Sequence, residues 1–346
     1  MFSTKLNHYD FFLSLKHSRK KDELFREKIK ARSKPRIAIT IGDFNGIGPE
    51  VAVKAINKKE ILALCHPILI ADTQVLDALK IRLDESISIH KRSNKVKITP
   101  GKPSVLSGKA SLDYIDSGID LIKRRAAHCL ITAPISKTAI AKAGSKFKGH
   151  TDLLQKHFKV DNVLMSFFSK DINVAVCTAH IPLKKVVKEL HTTLLLHHLA
   201  VLDKSLKKYF GIKKPKIALA AINPHASEDG NLGDDDLKIT FPAVALARKK
   251  KISVEGPFPS DTLFLHTNRK KYDIILCPYH DQALIPFKML SFDTGVNVTL
   301  NLPFIRTSPD HGTAYDIAWR KKASTSSMEQ SLLLAIKMYK ESSRYK

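Results

Sequence analysis

From Ile37 onward the chain alternates short apolar runs with longer stretches whose apolar positions recur every three or four residues. Ile37 to Ile41, Ile68 to Ile70, Cys129 to Thr132, Val174 to Thr178, Ile217 to Ala221 and Ile274 to Cys277 predict strands. Pro49 to Leu64, Leu112 to Arg125, Thr192 to Tyr209 and Met328 to Tyr339 predict helices. Strands separated by helices are the pattern of βαβ units, so the fold class is α/β. The acidic run Asp234-Asp235-Asp236 is placed to open a further helix, whose N-terminus favours negative charge. Ahead of this pattern, residues 1–34 form a polar, basic extension with an aromatic patch at Tyr9, Phe11 and Phe12. Asp10, Asp22, Glu23 and Glu27 weaken an organelle-targeting reading of it.

Composition narrows the class. A chain of 346 residues with 43% hydrophobic content buries a full core, as one large domain or two lobes. There is no apolar run of membrane-spanning length and no secretory signal, so a cytoplasmic location is expected. Cys65, Cys129, Cys177 and Cys277 are far apart and read as reduced, buried thiols. The 58 Lys and Arg against 33 Asp and Glu leave a net charge of +25, which attracts anions without any specific site. The basic residues are scattered in short clusters such as Lys249-Lys250-Lys251 and Arg269-Lys270-Lys271, with no aromatic-interleaved stripe. Specific nucleic-acid binding is therefore not expected. A basic scaffold that binds polyanions in a salt-sensitive way is the alternative from outside enzymology.

Four segments carry candidate chemistry. In Thr40 to Glu50 a strand ends in a glycine-rich turn, with Gly46 and Gly48 ahead of Pro49 at a first helical position; such a turn admits an anion or simply redirects the chain. Three histidines, His180, His225 and His280, each follow a strand-like run. Side chains past strand ends in an α/β sheet converge from distant positions, and three imidazoles leave open coordination on a divalent ion. Imidazole favours zinc, cobalt, iron or nickel over magnesium. A two-Cys, two-His site from Cys177, His180, Cys277 and His280 competes, but residues three apart on a strand face opposite sides. Lys148 to Asp152, with Lys288, Asn297 and Arg306 downstream, offers cations and neutral donors suited to a phosphate and a carboxylate. Ser308 to Ile317 is a second glycine turn running into a helix.

In this order the segments GDFNGIGPE (42–50), KGHTD (148–152), NPHASEDG (223–230), GPFPSDTLF (256–264), YHDQALIPFK (279–288) and GVNVTLNLPFIRTSPDHGTA (295–314) closely resemble the PdxA family of 4-hydroxythreonine-4-phosphate dehydrogenases. The resemblance runs from about Ile37 to the C-terminal helix. It implies a two-lobed α/β architecture like that of isocitrate and isopropylmalate dehydrogenases, with the site in the interlobe cleft. Residues 35–148 with 317–346 then form the first lobe, and 149–316 the second, which carries the metal and substrate residues.

The resemblance further implies a homodimer whose active site is completed across the subunit interface, NAD or NADP as cofactor, and one divalent metal (zinc, cobalt or magnesium) per site. Its metal histidines fall on His180, His225 and His280, and its substrate contacts on His150, Thr151, Lys288, Asn297 and Arg306. Cofactor contacts are expected at Gly46, Gly48, Asp310, His311, Gly312 and Thr313. The implied reaction is oxidation and decarboxylation of 4-phosphohydroxy-L-threonine to 3-amino-2-oxopropyl phosphate in pyridoxal 5'-phosphate biosynthesis. The proton acceptor is open between Asp281, Lys288 and a water on the metal, while Asp43 is either part of the cofactor site or, as the favoured reading, a local backbone-capping residue. A paralogue oxidising threonate or erythronate 4-phosphate is the alternative within the superfamily. The sequence departs from the usual family pattern in GDFNGIGPE for GDPAGIGPE, in NPHASEDG for NPHAGEGG, and in Ala133 for a glycine.

Overall fold

The computed structural model describes residues 34–345, so the expectations for residues 1–33 lie outside it. The described residues form eleven strands: β1 (Arg36–Thr40), β2 (His66–Asp72), β3 (Ser88–Arg92), β4 (Cys129–Thr132), β5 (Leu164–Phe168), β6 (Asn173–Thr178), β7 (Ile217–Ala220), β8 (Val254–Phe258), β9 (Ile274–Tyr279), β10 (Val296–Leu300) and β11 (Ile305–Pro309). All join one sheet in the order β3-β2-β1-β4-β11-β10-β5-β6-β9-β7-β8. The fold is α/β.

Two parallel blocks meet in the middle of this sheet. β3, β2, β1, β4 and β11 are mutually parallel, as are β6, β9, β7 and β8. β10 runs antiparallel to both β11 and β5, and β5 antiparallel to β6. The segments that leave β6, β7 and β9 therefore emerge at one end of the sheet, and they carry His180, His225 and His280. Helix His280–Ser291 then returns along the sheet, packed on β6 and β9. Its rise of about 1.5 Å per residue carries Lys288 roughly 12 Å from His280.

Side chains alternate between two cores, as the period-two geometry of strands requires. Ala175, Ile217, Leu219, Ile274 and Leu276 belong to the main cluster, while Val174, Val176, Ala218, Ala220, Ile275 and Cys277 join a smaller one beneath helix His280–Ser291 through Ala283, Leu284 and Phe287. Cys177 packs against the main cluster and Cys277 lies in the smaller one, and burial pushes both thiols up from their ordinary pKa. The two cysteines thus occupy opposite faces, which removes the two-Cys, two-His arrangement.

The helix expected over Pro49 to Leu64 is two pieces, Gly48–Ile56 and Lys59–Leu62, and the one expected from Leu112 starts earlier, at Val105. Ser104 sets that start: its Oγ accepts from Ser107 N at 3.0 Å in a capping box. The acidic run opens a π-turn, Asp236–Thr240, that leads into helix Phe241–Lys249.

Candidate functional site

The His180 and His280 rings lie side by side, with centroids 5.6 Å apart and planes tilted by 42°. Burial, with the charges of Lys137 and His280, lowers the His180 pKa, which favours the neutral imidazole a metal ligand needs. His280 Nδ1 is 2.7 Å from Asp281 Oδ1, a carboxylate contact that fixes the ring and leaves Nε2 free.

His225 is presented differently. Residues His225, Ala226, Ser227, Glu228 and Asp229 have φ of 50°, 53°, 71°, 43° and 54°, a left-handed turn built without glycine. Left-handed backbone costs an L-residue roughly 1–2 kcal/mol, so such a run needs strong local support. The His225 side chain is exposed. Among the described residues no group of three or more His, Cys, Asp or Glu side chains could hold a metal ion. The trio expected from the sequence does not close within one chain: it divides into the His180 and His280 pair and a separate His225.

A second group surrounds Arg306, which is 3% exposed on β11. Its guanidinium donates to Thr132 Oγ1 at 2.7 Å, Thr299 Oγ1 at 3.0 Å and Asn297 Oδ1 at 3.4 Å. Burial pushes its pKa down to about 10, so it stays cationic at neutral pH. The same burial, with the Arg306 charge, holds His150 well below the ordinary histidine pKa and therefore neutral. Arg306 Nε and His150 Nε2 are buried without a hydrogen-bond partner. Leaving such groups unmet costs on the order of 1–3 kcal/mol each, which a bound anion or polar ligand would recover. Thr151 follows in the first turn of helix His150–Phe158, and Asp152 accepts from the Lys148 backbone N–H.

Lys288 joins the two groups to the second glycine turn. Its Nζ is 3.2 Å from Asp310 Oδ2 and donates to Asp310 O at 3.3 Å. The Asp310 carboxyl is raised by burial, although the charges of Lys288, His311 and His280 act against that. The Asp152 charge acts on His180, opposing the effect of burial there. Charge effects link His180 with His280 and Asp152, and Asp310 with Lys288 and His280, so these side chains share one polar neighbourhood.

The expected cofactor glycines separate into two kinds. A Cβ on Gly48 would stand 2.3 Å from Ile41 O, and one on Gly46 would stand 2.9 Å from Thr313. These positions are filled by the chain itself, and Ile47 N already donates to Thr313 O at 3.0 Å. Asp43, fully buried, ties this turn together: Oδ1 accepts from Asn45 N at 2.8 Å, and Oδ2 from Ser107 Oγ at 3.1 Å and Tyr315 OH at 2.8 Å. That is the structural role expected of it. Gly312 faces open space, and His311 Nδ1 lies 3.0 Å from Gly312 O.

The family model described as pyridoxal phosphate biosynthetic protein PdxA matches residues 63–335. The chain belongs to the PdxA family. A curated relative from Desulforapulum autotrophicum, named 4-hydroxythreonine-4-phosphate dehydrogenase, is 41% identical over 88% of this chain and 95% of its own length. A crystal structure of 4-hydroxythreonine-4-phosphate dehydrogenase from Klebsiella pneumoniae superposes with a TM-score of 0.79 at 33% identity, covering 89% of this chain and 99% of that one. A terephthalate 1,2-cis-dihydrodiol dehydrogenase from Burkholderia xenovorans is more distant, with a TM-score of 0.62 at 26% identity over 88% of this chain and 98% of that one. Family membership accounts for the order of the motifs and makes this chain a dehydrogenase of the pyridoxal phosphate pathway's family.

Several residues of the cleft escaped the sequence reading. Thr132 and Thr299 hold Arg306, Lys137 bears on His180, and Asp236 fastens the His225 turn. Thr132 ends a strand expected from the sequence, so its position at a strand terminus was a usable signal. Thr299 was not accessible in that way, because β10 itself was not expected.

Proposed function

We propose that this protein oxidises and decarboxylates 4-phosphohydroxy-L-threonine to 3-amino-2-oxopropyl phosphate, with NAD or NADP as hydride acceptor and a divalent metal, zinc, cobalt or magnesium, in the cleft. The observation that carries this reading is the junction of the His180 and His280 pair with the buried Arg306 and His150 group in a cleft of the PdxA fold. Arg306, Asn297, His150, Thr151 and Lys288 would hold the phosphate and carboxylate, and Arg306 brings a planar fork already oriented by two threonines. Asp310, His311, Gly312 and Thr313 would receive the nicotinamide cofactor, with the open face of Gly312 allowing close approach.

The residues present suit a metal, because burial favours the neutral form of His180 and a carboxylate orients the His280 ring. Bound there, a divalent cation would supply Lewis-acid stabilisation of negative charge on the substrate oxygens. Asp281 is occupied in orienting His280, so of the two side chains open as proton acceptor the reading favours Lys288. To act so, its resting ion pair with Asp310 would have to break with the ammonium proton passing to the Asp310 carboxylate, whose pKa burial raises, leaving the neutral amine to accept a proton from the substrate.

The third ligand, His225, is read as coming from a second copy of the chain. Ile285, Met289 and Phe292 stand 59%, 81% and 69% exposed on the turn-by-turn face of the helix that starts at His280. Leu232, Leu237 and Phe241 are exposed just after the His225 turn. Apolar stripes beside an incomplete site are what an isologous dimer interface would cover. We place the protein in the cytoplasm; no helix among the described residues is long and apolar enough to cross a membrane. The two lobes, residues 35–148 with 317–346 and residues 149–316, belong to the same reading, although one sheet runs through both.

A related acid phosphate such as threonate or erythronate 4-phosphate is the second reading. It is favoured by the departures from the family pattern at Ala133, Ser227 and Asp229 and by the dihydrodiol dehydrogenase that shares the fold. The deciding assay follows NADH and NADPH formation from 4-phosphohydroxy-L-threonine and from both sugar-acid phosphates, before and after chelation, with His225→Ala as control. Turnover of the amino substrate, lost on chelation and in the variant, supports the first reading. Turnover only of the sugar-acid phosphates supports the second, and salt-sensitive polyanion binding without turnover would leave only the scaffold alternative.

A further inference from the structure

We infer that Asp236 is the positioning residue that aims His225, acting through the backbone of the left-handed turn; the inference rests on the reading of His225 as a metal ligand. Asp236 is fully buried. Its Oδ1 accepts from Ile222 N at 2.8 Å and Thr240 Oγ1 at 2.7 Å, and its Oδ2 from Asn223 N and Ser227 Oγ, each at 2.9 Å. Two of these donors immediately precede the turn, one lies within it, and one belongs to the framework behind it.

The carboxylate therefore clamps the entry and the middle of the segment that carries His225. Asn223 adds a second tie, donating from Nδ2 to Asp235 Oδ2 at 3.0 Å and to Ser227 Oγ at 3.3 Å. The clamp is anchored, because Asp236 begins the π-turn that feeds helix Phe241–Lys249, which packs on helix Thr192–Phe210. His225, exposed, takes its direction from the backbone that Asp236 holds. Four donors converge on two carboxylate oxygens, so an amide in place of the carboxylate would turn an NH2 group toward two of them.

This also explains a departure from the family pattern. Where the usual NPHAGEGG has glycine, this chain has Ser227 at φ 71° and Asp229 at φ 54°. A glycine adopts that conformation freely. Ser227 instead holds it by donating to the Asp236 carboxylate, so in this protein the clamp has taken over part of what glycine supplies elsewhere.

The test is cobalt(II) titration of the purified full-length chain by calorimetry and visible absorption, comparing wild type with His225→Ala, Asp236→Asn and Ser227→Ala. Metal affinity should fall about 10- to 100-fold in Asp236→Asn, with kcat recovering as cobalt is raised to saturation. A smaller loss, about 3- to 10-fold, is expected in Ser227→Ala, which removes one of the four donors. Recovery of kcat at high metal separates positioning from general damage to the fold. Wild-type cobalt affinity in Asp236→Asn, alongside loss in His225→Ala, would overturn the inference and leave the metal reading intact. Identical binding by wild type and His225→Ala would overturn both. Should Asp236→Asn fail to fold, Ser227→Ala decides, and unchanged affinity there counts against the clamp.

Discussion

The turns at 42–48 and 223–230 both lead from a strand toward a helix, and both attract attention in the sequence, yet they are built in opposite ways. The first is rich in glycine because the chain packs on itself: Gly48 lies against Ile41 O, Gly46 against Thr313, and Asp43 is buried beneath them. The second runs through five successive left-handed residues, none of them glycine, and leaves its histidine in solvent. Glycine in the first turn thus reports close backbone contact, while its absence from residues 225–229 of the second leaves local strain that Asp236 must hold. Strain retained beside an exposed histidine fits a site that matters for function more than for stability.

Substitutions should separate the two turns, beginning with the largest effect. Gly48→Ala forces a methyl against Ile41 O and should cost about 3 kcal/mol or more of stability in denaturant melts; a loss near zero would mean that the turn is loosely packed. Asp43→Asn removes part of the acceptor set for Asn45, Ser107 and Tyr315 and should cost about 1–2 kcal/mol.

That cost should depend on pH. Burial, the largest cause, raises the Asp43 pKa above 3.8 despite the opposing hydrogen bonds from Asn45, Tyr315 and Ser107. The native state then holds this proton more tightly than the unfolded chain does. The stabilisation is complete below pH 3.8 and is lost as pH rises through the native value. The stability gap between wild type and Asp43→Asn should therefore be widest in acid and narrow as pH increases.

In the other turn the sign reverses. Asp229→Gly relieves a left-handed residue and should stabilise by about 0.5 kcal/mol, the unfolded-state entropy that glycine adds taking back part of the gain. Gly312→Ala meets open space and should change stability by less than about 0.5 kcal/mol, while raising KM for the nicotinamide cofactor if that glycine lines its site.

Much of the architecture was legible. The six expected strands are β1, β2, β4, β6, β7 and β9, parallel strands whose burial on both faces leaves continuous apolar runs. β10 and β11 escaped because Asn297 and Thr299, and Arg306 and Ser308, break those runs with the polar groups of the cleft itself. β5, Leu-Met-Ser-Phe-Phe, is wholly buried but carries no β-branched residue, the feature that marked the other apolar runs as strands. For the site, residue types and order marked the histidines and the anion group. Spacing could not say that His225 stands apart from the other two, because its direction comes from backbone dihedrals and from a carboxylate eleven positions away.

The central claim is that His180 and His280 of one subunit meet His225 of another around one metal. Its most direct test mixes two inactive variants, His225→Ala and His280→Ala, by co-refolding or co-expression. Half of randomly formed dimers are mixed, and each would hold one intact site of two, so activity should return to about one quarter of wild type. No recovery in mixtures shown to contain the mixed dimer would mean that each site draws its histidines from a single chain.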